Sequence, residues 1–130
     1  MAALSAALAC GTPSRESALY LRTVTDAEAP LERAGRRFDA AVAASDWPAA
    51  RVAAREAAAG AARARDVLER MSVPGALVTA RREELLFANH ALLAYQEFAA
   101  RGSTGVDLAK LRSILRRGRT HQARGRETLR

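Results

Sequence analysis

The sequence predicts an all-α protein that folds as an antiparallel up-down four-helix bundle. β-branched residues are sparse and do not alternate for long, whereas apolar residues recur at three- and four-residue steps along most of the chain. Three short connections separate the helical segments, which favours antiparallel neighbours. The 130 residues suffice for one domain, and their 49% hydrophobic content is largely alanine. We therefore expect readily formed helices that pack closely around a modest core.

The first helix is predicted over residues 15–44, with Ser14 as its N-cap. Its apolar stripe keeps the same phase on both sides of Pro30, which favours one helix kinked near that proline. Thr25 and Glu28 have the spacing of a capping box, so a break there is the alternative. The stripe consists of Tyr20, Val24, Ala27, Leu31, Ala34, Phe38 and Ala41.

The second helix is predicted over residues 47–71, capped by Ser45 or Asp46, with Pro48 in its first turn. Large residues stand only at the ends of its stripe, so a neighbouring helix can approach its middle closely. The stripe is Trp47, Ala50, Ala54, Ala57, Ala61, Ala64, Leu68 and Met71.

The third helix is predicted over residues 73–101, with Ser72 as its cap and Gly102 at its end. Its stripe is Val78, Leu85, Ala88, Leu92, Tyr95 and Ala99, widened by Leu77, Ala91 and Phe98. Counted from this stripe, His90 falls on the solvent side, and the adjacent Glu83 and Glu84 form a solvated edge.

The fourth helix is predicted to start near Ser103 or Thr104. Its apolar content collapses after Arg116, and Gly118 and Gly125 weaken the rest. We therefore assign the bundle to residues 15–118 and expect a frayed, partly disordered basic tail over residues 119–130.

The net charge of +7 lies entirely in the last quarter of the chain. Residues 101–130 contain nine basic and two acidic side chains, whereas the remainder is balanced. Six arginines of this segment are candidates for binding an anionic surface: Arg112, Arg116, Arg117, Arg119, Arg124 and Arg126. Three interpretations are open: a solvated helix end, binding of nucleic-acid phosphates, or contact with anionic lipid headgroups. No aromatic residue follows Phe98, so stacking on bases is not supported.

Cys10 is the only cysteine, so the chain cannot form an intrachain disulfide. It ends a short apolar run and precedes small residues, an arrangement similar to a bacterial lipoprotein signal, in which lipid is attached to the thiol. Ala9 fits that pattern, whereas Ala7 stands where leucine is usual, and no basic residue precedes the run. We interpret residues 1–14 as a degenerate or truncated signal and tether; if it is truncated, its basic part would be encoded upstream. A free thiol is the alternative.

No metal, cofactor or catalytic residue is predicted. His90 and His121 are the only histidines, and neither belongs to the Glu-x-x-His spacing of bundle metal sites. The chain contains no Gly-x-Ser-x-Gly elbow and no glycine-rich phosphate loop. A small pocket lined by Trp47 and Tyr95 is a weaker hypothesis, in which the protein would sense a small ligand.

The sequence Leu8-Ala9-Cys10-Gly11, the helices rich in alanine and arginine, and the turn at residues 68–74 together resemble small, uncharacterised helical-bundle lipoproteins of GC-rich bacteria. The resemblance implies acylation at Cys10 and a lipid-anchored place on the extracytoplasmic face of the membrane. It implies a non-enzymatic interaction or structural role with an unknown protein partner. The alternative is a cytoplasmic helical protein whose arginine-rich C-terminus binds nucleic acid or an acidic partner.

Overall fold

A computed structural model describes residues 14–129 of the chain. In this range the protein contains four α-helices, and a single 3-10 turn, Gly75–Leu77, precedes the third. The helices are α1 (Arg15–Ala43), α2 (Trp47–Arg70), α3 (Val78–Arg101) and α4 (Leu108–Glu127). Each helix packs against the next one in the chain, which confirms the predicted all-α four-helix bundle. The backbones of α1 and α4 do not approach each other comparably, so side chains close the bundle on that side.

α1 is one continuous helix that passes through Pro30, so the predicted alternative of a break is wrong. The Ser14 hydroxyl accepts a hydrogen bond from the Ser17 amide and caps the first turn, as predicted. Glu28 does not act in a capping box, because its side chain is buried against α4.

α2 begins after Asp46, whose carboxylate accepts from the Ala49 amide. The turn before it places Ser45 at φ 54, a left-handed conformation that is costly for a residue with a Cβ. A Cβ built on Gly60 would lie 2.9 Å from the backbone nitrogen of Leu31. The small middle of α2 therefore allows the close approach to α1 that the sequence predicted.

The starts of α3 and α4 differ from the sequence prediction. α3 begins at Val78 after the 3-10 turn rather than at Val73, and α4 begins at Leu108 rather than near Ser103. The side chain of Asp107 accepts hydrogen bonds from two amides of the first turn of α4, which fixes the later start. Gly102 ends α3 at φ 70, as its position predicted.

The buried face of α3 is rotated relative to the predicted stripe. Val78 is exposed and Leu85 and Leu92 are only partly buried, whereas the true core row brings Glu84 inside. The row consists of Ala80, Glu84, Phe87, Ala88, Ala91, Ala94, Tyr95 and Phe98. The predicted solvated edge at Glu84 is therefore wrong.

α4 continues to Glu127 where the sequence predicted a frayed, partly disordered tail. Gly118 and Gly125 are buried against α3, and a Cβ on Gly118 would lie 3.1 Å from that of His90. These glycines weaken the isolated helix but allow it to pack closely against α3. Leu129 is also buried, at 9% exposure.

The apolar core forms two clusters. The larger one contains most of the buried alanines and three aromatic rings packed edge to face. The centre of the Phe38 ring lies 5.3 Å from that of Tyr95 and 4.9 Å from that of Phe98. The smaller one contains Tyr20, Val24, Leu68, Leu77, Ala80, Ala88 and Leu129. In α1, Glu28 lies between Val24 of the smaller cluster and Leu31 of the larger, so a polar group separates them.

Candidate anion-binding surface

The cationic side chains of α4 form two rows along the helix. Residues seven apart lie nearly above one another on an α-helix. Arg112, Arg119 and Arg126 therefore share one row, which faces α1. A second row, Lys110, Arg117 and Arg124, is exposed to solvent.

Arg119 makes its contacts with other residues of the protein. Its two terminal nitrogens donate to the two Glu32 oxygens at 2.5 and 2.8 Å, and its guanidinium lies 5.0 Å from the centre of the Phe87 ring. Burial raises the pKa of Glu32, but hydrogen bonding and the charge of Arg119 outweigh it and lower that pKa overall.

Arg126 binds two buried carboxyl groups. Its Nε donates to Glu84 at 2.7 Å and its Nη2 donates to Glu28 at 3.0 Å. Gln122 also donates to Glu28 at 3.0 Å. Each glutamate is only 1% exposed, so Arg126 supplies a positive charge where water is excluded.

The pKa of Glu28 is raised well above its ordinary value. Burial, together with a hydrogen bond to Glu84 and its charge, raises the pKa of Glu28 to about 9, which Arg126 opposes. Oε2 of each carboxyl is buried and has no hydrogen-bond partner among the described residues. A proton on Glu28 would supply a donor between the two carboxyls. The nearby Tyr20 hydroxyl is also buried, and both burial and the carboxyls raise its pKa.

The six predicted arginines thus separate into two groups. Arg119 and Arg126 form ion pairs with carboxylates of α1 and α3, which the sequence analysis did not anticipate, although the Arg119 side chain remains 52% exposed. The other four are exposed and offer guanidinium groups to solvent: Arg112, Arg116, Arg117 and Arg124.

The beginning of α1 and the end of α4 lie at the same end of the bundle. Tyr20 and Val24 belong to the same packed cluster as Leu129. Cys10, the predicted lipid-attachment residue, lies outside the described residues. The described chain nevertheless starts at Ser14, on the end of the bundle where α4 finishes.

His121 and His90 lie at the α3–α4 interface. Nδ1 of His121 lies 2.6 Å from Glu83, and the two imidazole rings are 5.3 Å apart. His90 is partly buried and contacts the Leu86 carbonyl, so its predicted solvent position is wrong. Within residues 14–129, no group of three or more His, Cys, Asp or Glu side chains could hold a metal ion.

Trp47 and Tyr95 do not share a pocket in the described part of the chain. Tyr95 lines a groove between α1 and α4, whereas Trp47 lines a separate depression beside the α3–α4 connection. These two depressions give no support to a single pocket lined by both residues.

Glu28 and Glu84 are the polar residues that the sequence analysis missed. Glu28 lies four residues after Val24 and three before Leu31. This helical spacing fits the core stripe as well as the position of Ala27 does. The structure selects Glu28, since Ala27 is only partly buried. The sequence signal that could have indicated these buried glutamates was the set of basic residues in α4, which can pair with carboxylates.

No family model, curated protein or solved structure matches the chain. Among the helices within residues 14–129, none combines the length and hydropathy needed to cross a membrane.

Proposed function

We propose that this protein is a non-enzymatic, membrane-tethered module of the bacterial envelope, acylated at Cys10. The end of its bundle where α1 begins and α4 finishes would rest against anionic lipid headgroups on the extracytoplasmic face of the membrane. The main support is that Tyr20 and Val24, near the start of α1, belong to the same core cluster as Leu129, just after the end of α4.

The length of the tether supports this orientation. Only residues 11–13 separate Cys10 from the capping residue Ser14, and such a segment spans at most about 15 Å. An acyl group on Cys10 would therefore hold this end of the bundle near the membrane. The short span leaves little room for the domain to turn away.

The exposed charge at this end supplies a second interaction. Arg117 and Arg124 are exposed, and each basic side chain near an anionic surface contributes ~1 kcal/mol. Arg112 lies about 18 Å along α4 from Arg124, too far to contribute to the same contact. A lipid anchor combined with basic side chains provides the two signals that stable membrane attachment requires.

Intact mass spectrometry of protein from the native host tests the proposal, with membrane and soluble fractions kept separate. We expect a membrane-bound species that begins at Cys10 and carries lipid mass. The Cys10→Ser variant is the matched control and should move to the soluble fraction. A wild-type protein that is soluble, with an unmodified Cys10 and an intact preceding segment, would contradict the proposal.

The second candidate function is binding of nucleic acid or an acidic partner in the cytoplasm. It is favoured by the row Lys110, Arg117 and Arg124, which extends about 21 Å along one exposed side of α4. Binding through this row would weaken steeply with added salt, whereas membrane attachment through an acyl group would barely respond. A salt titration of fractionated wild-type protein therefore distinguishes the two functions.

A further inference from the structure

A groove of about 320 Å³ lies between α1 and α4. It exists because the backbones of these two helices stay apart, so α3 forms the floor between them. The floor consists of Phe87, Ala91 and Tyr95, each at most 6% exposed, and Leu31 with the partly buried Leu115 adds apolar sides. The Arg119–Glu32 ion pair also lies between α1 and α4. Beyond this pair, the residues that line the gap between the two helices are mostly polar.

The rim of this groove is cationic. Arg112 and Arg116 lie one helical turn apart on α4, and both are exposed. Arg119 also lines the groove, but Glu32 and the Phe87 ring already occupy its guanidinium. Asp39 is the acidic residue of the lining and interacts electrostatically with Arg112, so the two exposed guanidiniums of the rim outnumber one carboxylate there.

We propose that this groove binds a single-chain amphiphile with an anionic head, its apolar chain on the α3 floor and its carboxylate or phosphate against Arg112 and Arg116. The charge of the rim selects the head, and the apolar floor selects the chain. The volume is at the lower end of small-molecule sites, which favours one chain over a two-chain lipid. A nucleic acid would make no use of the apolar floor.

This site is separate from the proposed membrane contact. Arg112 and Arg116 line the groove, whereas the membrane contact involves Arg117 and Arg124, which do not line it. The inference therefore holds whether or not Cys10 is acylated, and its test uses the Cys10→Ser chain to exclude the protein's own lipid.

Binding can be measured by calorimetry and by amide chemical shifts with three ten-carbon probes, each below its micelle concentration. Decanoate carries a carboxylate head and decyl phosphate carries a phosphate head, the two head groups that the proposal allows. Decyltrimethylammonium is the control of opposite charge. We expect at least one anionic probe to bind, with shifts at Phe87, Ala91 and Leu115. The cationic probe should bind at least about tenfold more weakly.

Two double variants with equal charge change locate the head group. Arg112→Gln with Arg116→Gln should weaken binding of the anionic probe about tenfold or more, while Arg117→Gln with Arg124→Gln should change it less than about threefold. Leu115→Gln should also weaken binding, because it makes one side of the groove polar. Thermal unfolding without probe verifies that each variant is folded.

The proposal is overturned if neither anionic probe binds up to about 1 mM. It is equally overturned if the cationic probe binds as tightly as the anionic ones, or if both double variants weaken binding alike. Binding by decanoate alone would assign a carboxylate head, and binding by decyl phosphate alone would assign a phosphate head.

Discussion

Replacing Glu28 with glutamine is predicted to remove most of the pH dependence that this buried carboxyl gives to stability. Glutamine keeps the shape of the protonated side chain. Its amide can donate to Glu84, while its carbonyl accepts from Arg126 and Gln122. The variant therefore keeps the hydrogen bonds of protonated Glu28 and cannot ionise.

The sign follows from proton binding. The pKa of Glu28 is about 9 in the folded protein and near its ordinary value, about 4.3, in the unfolded chain. Between these values the folded state holds the proton and the unfolded state has lost it. The stabilising contribution of this group is therefore full below the unfolded pKa and is lost as the pH rises through the folded pKa.

The magnitude is about 1.4 kcal/mol per pH unit for one proton. Between pH 5 and pH 8 the advantage of Glu28→Gln over the wild type should grow by up to about 4 kcal/mol. Structural relaxation and the coupling to Glu84 would reduce this figure. At pH 8 the variant should be clearly the more stable protein.

Urea denaturation of the two proteins at pH 5, 6, 7 and 8 measures this difference. Glu32→Gln is the matched control. Arg119 lowers the pKa of Glu32, so the contribution of this carboxyl to the pH dependence of stability has the opposite sign. The stability that Glu32 provides is present above its unfolded pKa and is lost as the pH falls through the folded value. If the difference in the free energy of unfolding between the wild type and Glu28→Gln stays constant from pH 5 to pH 8, Glu28 does not hold a proton in the folded protein over this range, and the reasoning is refuted.

Three further predictions concern packing, ion pairs and a strained turn. Gly60→Ala should destabilise the protein by about 1–3 kcal/mol in urea denaturation, because its Cβ would meet the α1 backbone, whereas Gly75→Ala, with no atom within 4 Å of its Cβ, should be nearly neutral. Arg126→Gln should cost about 3 kcal/mol because it leaves buried carboxyls without their cation, whereas Arg119→Gln, 52% exposed, should cost about 1 kcal/mol and less in high salt. Ser45→Gly should raise the melting temperature slightly, since glycine adopts the left-handed conformation without the roughly 1 kcal/mol cost of a Cβ, and an unchanged or lower value would show that the turn is unstrained.

Helices α1 and α2 could be predicted from the sequence because their patterns leave little choice. α1 has a hydroxyl cap and widely spaced large apolar residues on one stripe, and α2 has a cap, a proline in the first turn and a run of alanines. In each helix the local signals agree with the tertiary packing, which is the condition under which sequence patterns succeed.

α3 could not be placed correctly because its apolar residues surround the helix. Leu85 and Leu92 define one stripe and Phe87 with Ala94 another, and hydrophobicity alone favours the first. The structure selects the second, since glycines on α4 accept the wider α3 side chains. This rotation places Glu84 in the core.

The C-terminal helix was underestimated for a related reason. An isolated segment with two glycines and few apolar residues is a weak helix former. Its stabilising partners, Glu32 and the Glu28–Glu84 pair, lie on α1 and α3, distant in sequence. Tertiary contacts of this kind are not visible in a local pattern.

The division of α4 into inward and outward arginines is the central claim, and vesicle binding tests it most directly. The unacylated Cys10→Ser chain would be mixed with vesicles containing anionic lipid at low salt, in parallel with urea denaturation. We predict that Arg117→Gln with Arg124→Gln lowers vesicle affinity about tenfold or more without changing stability. Arg119→Gln should lower stability and leave vesicle affinity nearly unchanged. Equal loss of affinity in both variants, or no loss in the outward pair, would contradict the claim.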